Sequence, residues 1–419
     1  MIFTNDQWNA INAIKRGKNV VITGPGGTGK TAVINHISKI REELIQTMGV
    51  TAMTGAAAVI INGRTLHSFL GIGLGKDSED DLVSKINLYF NLRKKWRETN
   101  ILIIDEISML SSELFDKLNN VAKRVRCRNE AFGGMQLVLG GDFLQLPCIN
   151  GSFCFNAIAW DECDFTVIHF TKIMRQLNKE FQECLNRARF GEISEKDIEY
   201  LTRNNLTKEK IDTMEIKPTR ILCRNVDVND INYAKLQRLP SKEIYKYKYN
   251  VDIANCKYNC LFKDITKICN AMPELFLSIG AQVMLLVNTD PVNKLVNGSR
   301  GCITSFKSDG VRLLPVVKFM NLETVVEIHK YEITDNNNQV IGNVFQIPLK
   351  LAYAITVHKS QGITLDSAII NLKGVFEYGQ AYVALSRVKE IENLFVENIT
   401  KASFKAHPEA LKFYRELKK

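Results

Sequence analysis

Gly24-Pro25-Gly26-Gly27-Thr28-Gly29-Lys30-Thr31 fills every fixed position of G-x-x-x-x-G-K-[ST]. Gly24, Gly26, Gly27 and Gly29 let the backbone turn its N–H groups, that of Thr28 among them, inward around phosphate oxygens. A helix opening at Lys30 adds the partial positive charge of its N-terminus. Lys30 has the reach for β- and γ-phosphates, and the Thr31 hydroxyl is a ligand for Mg²⁺. Asp105 and Glu106, at the end of an apolar run, supply the carboxylates such a site needs. Asp105 suits Mg²⁺, directly or through water, and Glu106 suits the base that orients an attacking water. Either half alone has a bland reading, as a glycine-rich turn or a helix N-cap pair. Together they predict hydrolysis of ATP or GTP, and they leave open what the hydrolysis drives.

These residues need strands to present them. Val20-Val21-Ile22-Thr23 is a short β-branched run ahead of the glycine loop, and a helical pattern follows from Lys30 to about Gln46. Residues 49–54 read as a second strand and 136–139 as a fourth. The third, Ile101-Leu102-Ile103-Ile104, is apolar throughout, as expected of a strand buried on both faces of a parallel sheet. Strands alternating with helices predict a doubly wound α/β domain over residues 1–170, with a polar insertion at about 71–98. Residues 171–240 read as helical around a strand near Thr219-Arg220-Ile221-Leu222. Residues 241–343 read as antiparallel β, with strands at 282–287, 301–306 and 324–328. Asn297-Gly298, Asp309-Gly310 and the run at 335–338 mark turns between them. Residues 344–419 return to α/β, with a strand at 367–372 and a helix at about 379–387.

The chain has 419 residues, 45% hydrophobic and 24% charged, which excludes a mostly disordered protein and allows two or three domains. No run approaches the roughly 18 apolar residues of a membrane span, and the N-terminus lacks the pattern of a secretion signal. A soluble intracellular setting is expected, nuclear or cytoplasmic, with no membrane partner. The ten cysteines are scattered; Cys256 and Cys260, the closest regular pair, read as free thiols ahead of a metal site. A formal charge of +10 is compatible with a polyanionic partner.

Several blocks then fall in the order of one helicase family. They are TLHSFLGIGLG at 65–75, DEISML at 105–110, AFGGMQLVLGGDFLQLP at 131–147, GAQVMLLVNTD at 280–290, LVNGSRG at 295–301, ITVHKSQGITLD at 355–366 and GQAYVALSRV at 379–388. The chain resembles the Petite Integration Frequency (Pif-type) DNA helicases, in the RecD- and Dda-like branch of superfamily 1. The resemblance implies two RecA-like P-loop domains in tandem. The first would span 1–170, with a wedge insertion at 71–98. The second would combine 171–240 and 344–419, with an SH3-like β insertion at 241–343. It further implies a monomeric motor, dependent on ATP and Mg²⁺, that moves 5′-to-3′ on single-stranded DNA. Such a motor opens duplex and forked DNA in replication, recombination, repair or genome maintenance. G-quadruplex DNA, single-strand-binding proteins and polymerases are further partners that the resemblance leaves open. Because the chain opens almost on the first motif, no N-terminal regulatory region is expected.

Residue by residue, the resemblance implies that Arg387 is an arginine finger and Arg175 a second arginine contact, roles suited to a permanent planar cation. Gln145 would couple the γ-phosphate to the DNA site, Gln7 would read adenine, and Gly362 would lie near the nucleotide. Thr54, Gly55, His67, Ser68 and Phe69 would contact the strand from the first domain. Thr356, His358, Lys359 and Ser360 would contact it from the second, mainly through phosphates. Tyr89, Phe90 and Trp96 are each a candidate wedge, or plain packing of the insertion. The rival readings are a 3′-to-5′ motor sharing the ATP site, a P-loop switch or loader without unwinding, and a nucleic-acid-binding protein with an inactive ATP site.

Overall fold

The computed structural model of the chain describes residues 3–39, 47–149, 151–204, 217–253, 271–290, 293, 295–320, 322–334 and 340–417. The Cys256 and Cys260 pair, the turn at 335–338 and the expected helix end at 40–46 lie outside the described residues. The chain forms two compact units. One contains Met1–Ser194, Phe376–Ser386 and Lys401–Lys419; the other contains Glu195–Val375 and Arg387–Thr400.

The first unit is built on six strands: β1 (Val20–Thr23), β2 (Met48–Ala52), β3 (Arg64–Thr65), β4 (Ile101–Asp105), β5 (Gln136–Gly141) and β6 (Thr166–His169). They lie in the order β3-β2-β4-β5-β1-β6 and every pairing is parallel. Strands β1 and β4 are buried along their whole length, which accounts for apolar runs without alternation. Their residues still alternate between two cores. Val20, Ile22, Ile101 and Ile103 face the helices Asn5–Lys15 and Lys30–Lys39, where Ile11, Ile14, Val33 and Ile37 wait. Val21, Leu102 and Ile104 face Phe115, Leu118 and Val125 of the helix Ser112–Arg126.

Register places the carboxyl ends of the strands in one row: Ala52 pairs with Asp105, Asp105 with Gly140, and Thr23 with Gly141. The chain leaves β1 for β2 across β5 and β4, while β6 lies on the other side of β1. A ligand crevice in an open α/β sheet forms at such a reversal, outside the carboxyl ends. The glycine loop, Asp105 and Asp142 all leave from that edge.

The insertion at 71–98 forms two helices, Glu79–Leu88 and Phe90–Glu98. Ser78 caps the first, and Glu79, Asp80 and Asp81 in its first turn complement the helix dipole. Leu82, Ile86, Leu92 and Trp96 are buried, and the Trp96 indole donates to the Leu70 carbonyl at 3.0 Å. Trp96 is therefore packing. Tyr89 is half-buried against the same core, whereas Phe90 is 65% exposed.

The second unit carries a four-stranded parallel sheet, ordered Ala354–Thr356, Thr219–Leu222, Ala368–Asn371 and Leu394–Glu397. Its antiparallel part is led by a five-stranded sheet around Gln282–Leu285, Arg300–Ser308 and Leu313–Phe319. Three expected limits shift. The strand expected at 282–287 stops at Leu285, because Leu286 N–H reaches the Pro348 carbonyl and Pro348 has no N–H to continue the ladder. The strand expected at 324–328 is the short edge strand Glu323–Val325. Leu349–Leu351 joins the antiparallel sheet, so β structure continues past residue 343. Among the described residues no helix is long and apolar enough to cross a membrane.

Candidate active site

The glycine loop starts where β1 ends. Gly27 and Gly29 have φ of 83° and 84°, the left-handed region that favours glycine. Side chains there would also collide: a Cβ on Gly27 would lie 2.6 Å from the Arg175 Cβ, and one on Gly29 would lie 2.5 Å from Gln7 Nε2. Lys30 Nζ folds back onto the loop and donates to the Gly24 and Pro25 carbonyls at 2.7 and 2.8 Å. Burial lowers its pKa, while Asp142, Glu106 and Asp105 pull the other way. Thr28 is buried, and its hydroxyl donates to Pro25 O at 2.9 Å.

Gln7 has a structural duty beyond the expected one. Its Oε1 accepts the Thr4 N–H at 2.9 Å, closing a capping box, and its Nε2 donates to Thr28 O at 3.0 Å. The first helix is thereby clamped to the phosphate loop. One amide hydrogen and one lone pair are left over for a base.

The two carboxylates sit across from the loop. Thr31 Oγ1 donates to Asp105 Oδ2 at 3.3 Å, and Asp105 Oδ1 accepts the Glu106 N–H at 2.9 Å. Thr31 and Asp105 form the oxygen-only donor pair that a hard divalent cation takes. Glu106 has φ 59° and ψ 45°, a left-handed backbone unusual for a glutamate and characteristic of functional turns. Burial, with the Glu106 charge adding to it, pushes the Asp105 carboxyl up to about 7. A carboxyl raised in the fold contributes stability that is intact below its ordinary range near 4 and is lost as pH rises through 7. Asp105→Asn keeps an acceptor but cannot ionise. It should raise the melting temperature of the nucleotide-free protein by several degrees, in the order of magnitude expected for a chain of this size, and more at pH 8 than at pH 5. Thermal unfolding at both pH values checks this; an equal gain at both would contradict it.

Other expected residues of this unit converge on the same edge. Gln145 is buried, and its N–H bonds the Asp142 carbonyl at 2.9 Å in the turn after β5. Arg175 reaches the Ser386 carbonyl at 2.9 Å, and the Gln176 amide reaches the same oxygen at 3.3 Å. Residues not anticipated also arrive here. The Tyr382 hydroxyl accepts the Gly26 N–H at 2.9 Å, and Asp142, Arg189, Tyr414 and Thr23 form a buried cluster beside the loop.

The proposed strand contacts differ in availability. Thr54 caps the helix Gly55–Ile60, with Oγ1 accepting the Ala57 N–H at 3.2 Å, and both Thr54 and Gly55 remain partly exposed. Ser68 is exposed. His67 is half-buried, which lowers its pKa and keeps the ring neutral near pH 7. Phe69 packs on Gly49 and lies under the Lys95 ammonium at 5.2 Å, so much of its surface is already used.

In the second unit, Thr356 and Ser360 are buried with hydroxyls engaged locally. Thr356 accepts the Lys359 N–H at 3.2 Å, and Ser360 donates to Val357 O at 2.7 Å. Lys359 is exposed and His358 partly so. Gly362 follows with φ 79°. Arg387 is 1% exposed, and its Nη1 lies 3.5 Å from the Ser360 carbonyl. It sits just past the helix Gln380–Leu385.

A glycine phosphate loop, a Thr–Asp cation pair and an adjacent glutamate at the carboxyl edge of a parallel sheet define a P-loop NTPase. The family model for PIF1-like helicase matches residues 2–199, and that for the DNA helicase Pif1 2B domain matches residues 264–306. The ATP-dependent DNA helicase PIF1 of Xenopus laevis is 37% identical over 99% of this chain, which spans 64% of that relative's length. The crystal structure of Pif1 helicase from Candida albicans superposes with a TM-score of 0.86 at 32% identity, covering 100% of both chains. Bacteroides Pif1 bound to single-stranded DNA gives a TM-score of 0.71 at 30% identity, covering 100% of this chain and 97% of that one. The chain belongs to the PIF1-like helicase family, and its fold is that of two RecA-like domains with β insertions.

Proposed function

We propose that this chain is an ATP-dependent DNA helicase that moves 5′-to-3′ along single-stranded DNA and unwinds duplex and forked DNA in genome maintenance. The observation that carries this reading is the intact set Lys30, Thr31, Asp105 and Glu106 at one sheet edge, in a chain matched end to end by a Pif1 helicase. Polarity follows from family membership.

In this reading Lys30 and the loop amides bind the phosphates, and Thr31 and Asp105 hold Mg²⁺. Bound Mg²⁺ neutralises phosphate charge and favours the ionised Asp105. Glu106 orients water, Gln145 couples the nucleotide to the strand, and Arg175 and Arg387 stabilise the charge that develops on the transferred phosphoryl group. Gln7 serves adenine with its remaining donor and acceptor, and Gly362 lies near the nucleotide. The strand runs over Thr54, Gly55 and Ser68 in one domain, and over His358 and Lys359 in the other. Residues 1–170 form the first RecA-like domain with its wedge at 71–98. The second is built on the parallel sheet within 195–375 and 387–400, while 376–386 and 401–419 return to the first unit, and the SH3-like insertion runs from about 241 through the strand Leu349–Leu351. Phe90, exposed at the junction of the two insertion helices, is the residue best placed to press on a terminal base pair. The protein works as a monomer inside the cell, on single-stranded and forked DNA.

The test is unwinding of two matched duplexes, one with a 5′ single-stranded tail and one with a 3′ tail, with ATP and Mg²⁺. Opening of the 5′-tailed duplex alone is expected. Opening of the 3′-tailed duplex alone would discard the polarity, and failure on both, with no rise of ATP hydrolysis on adding DNA, would discard the motor.

A further inference from the structure

The end of β1, the turn after β5 and the helix Pro408–Glu416 meet in a buried polar cluster that the ATP chemistry above does not use. Asp142 is fully buried, and Arg189 and Tyr414 are each 1% exposed. Arg189 grips Asp142 with two nitrogens, Nε 2.9 Å from Oδ2 and the terminal nitrogen Nη2 2.8 Å from Oδ1. The Tyr414 hydroxyl lies 2.9 Å from Oδ1, and the Leu144 N–H 3.2 Å from it. Burial alone would push the Asp142 carboxyl up, but the Arg189 guanidinium more than reverses this and keeps it ionised.

An ionised carboxylate only accepts, so the proton directions are fixed. Tyr414 donates to Asp142, and Thr23 Oγ1, 2.5 Å from the Tyr414 oxygen, donates to Tyr414. The Arg189 guanidinium also lies over the Tyr414 ring at 4.4 Å. A buried Arg–Asp pair is a poor device for stability, since apolar replacements of similar volume often do as well. Its use here is orientation.

Two features tie that orientation to the ATP site. The carboxylate oxygens are committed to Arg189, Tyr414 and Leu144 N–H, so Asp142 holds an anion near Lys30 without capturing the ammonium. Lys30 instead rests on the Gly24 and Pro25 carbonyls. The turn that presents Gln145 is also built on Asp142, whose carbonyl accepts the Gln145 N–H and whose Oδ1 accepts the Leu144 N–H. Thr23, at the far end of the chain of hydroxyls, is the last residue of β1 and immediately precedes Gly24.

We infer that Tyr414 is a positioning residue of the ATP site: with Arg189 it fixes the Asp142 carboxylate, and through it the Gln145 turn, to the last residue of the phosphate-loop strand. The inference rests on the ATPase reading above.

Tyr414→Phe removes one hydroxyl and keeps the ring. In the full chain with saturating single-stranded DNA, kcat for ATP should fall about tenfold, the kinetic equivalent of one buried hydrogen bond to a charge. KM for ATP should stay within about twofold. Because Tyr414 acts through the Gln145 turn, the double variant with Gln145→Ala should be slower than Gln145→Ala alone by less than about twofold. Thr23→Val breaks the same chain of hydroxyls from its other end, should lower kcat in the same sense, and serves if Tyr414→Phe does not fold. Wild-type kcat with only a lower melting temperature would overturn the inference, as would effects of Tyr414→Phe and Gln145→Ala that multiply. Failure of the function reading is seen separately, as wild-type protein with no DNA-stimulated turnover, and that result overturns both.

Discussion

Lys30→Ala is expected to abolish ATP turnover and strand separation while part of the affinity for single-stranded DNA survives. The lysine ammonium lies on the Gly24 and Pro25 carbonyls, at the mouth of the turn proposed to hold the phosphates. An incoming triphosphate offers that ammonium stronger, charged acceptors than two carbonyls. Alanine leaves the loop's shape, which depends on Gly27 and Gly29, but removes the charge that binds β- and γ-phosphates. The candidate strand contacts at Thr54, Ser68 and Lys359 belong to other short helices or their caps and are untouched. Turnover at saturating DNA and anisotropy of a labelled oligonucleotide measure the two halves of the expectation. Retained hydrolysis would refute the assignment of Lys30.

Arg387→Ala should lower turnover by about a thousandfold or more, in line with the loss of other arginine fingers, with ATP binding changed only a few-fold. The side chain is 1% exposed, with Nη1 near the Ser360 carbonyl. Truncation therefore also leaves a gap, and Arg387→Lys is the needed companion. Lysine retains the charge and much of the volume but lacks the planar fork. If the fork matters, Arg387→Lys is nearly as slow as Arg387→Ala; if only the gap matters, it recovers. Quenched-flow hydrolysis with a fluorescent nucleotide for binding separates the two effects. Normal turnover in Arg387→Ala would move the finger elsewhere, with Arg175 the next residue to test.

How much of this was legible depended on distance along the chain. The phosphate loop and the Asp105–Glu106 pair are short contiguous texts whose residue types state their chemistry, and the contact between Thr31 and Asp105 follows from it. Strands β1 and β4 were legible because burial on both faces removes all polar residues. Strands β3 and β6 were not: one has two residues, and the other is a partly exposed edge strand. Trp96 carried a readable signal, since Leu92 and Trp96 repeat the spacing of Leu82 and Ile86 on one helix face. Thr356 and Ser360 read as phosphate donors; a short helix begins there, in which Ser360 donates to Val357 O while Thr356 accepts the Lys359 N–H and keeps its own O–H as a donor. The Tyr414 and Tyr382 contacts had no local signal. Tyr414 lies 272 residues from Asp142 and Tyr382 lies 356 from Gly26, and no short pattern says which distant tyrosine will arrive.

That same distance has a consequence for how the protein is made. The unit holding the phosphate loop includes Phe376–Ser386 and the helix Pro408–Glu416, which follow the whole of Glu195–Val375 in the chain. At a synthesis rate of about 5–20 residues per second, residues 195–375 take roughly 10 to 40 s to emerge. Through that interval Phe143 and Phe155 lack Phe413, whose ring centroid will lie 4.9 Å from each, and Asp142 lacks Tyr414. The nascent first unit thus waits with an uncovered aromatic surface and an incomplete ATP site. The contacts around its phosphate loop are complete only once residues 376–386 and 408–416 have emerged.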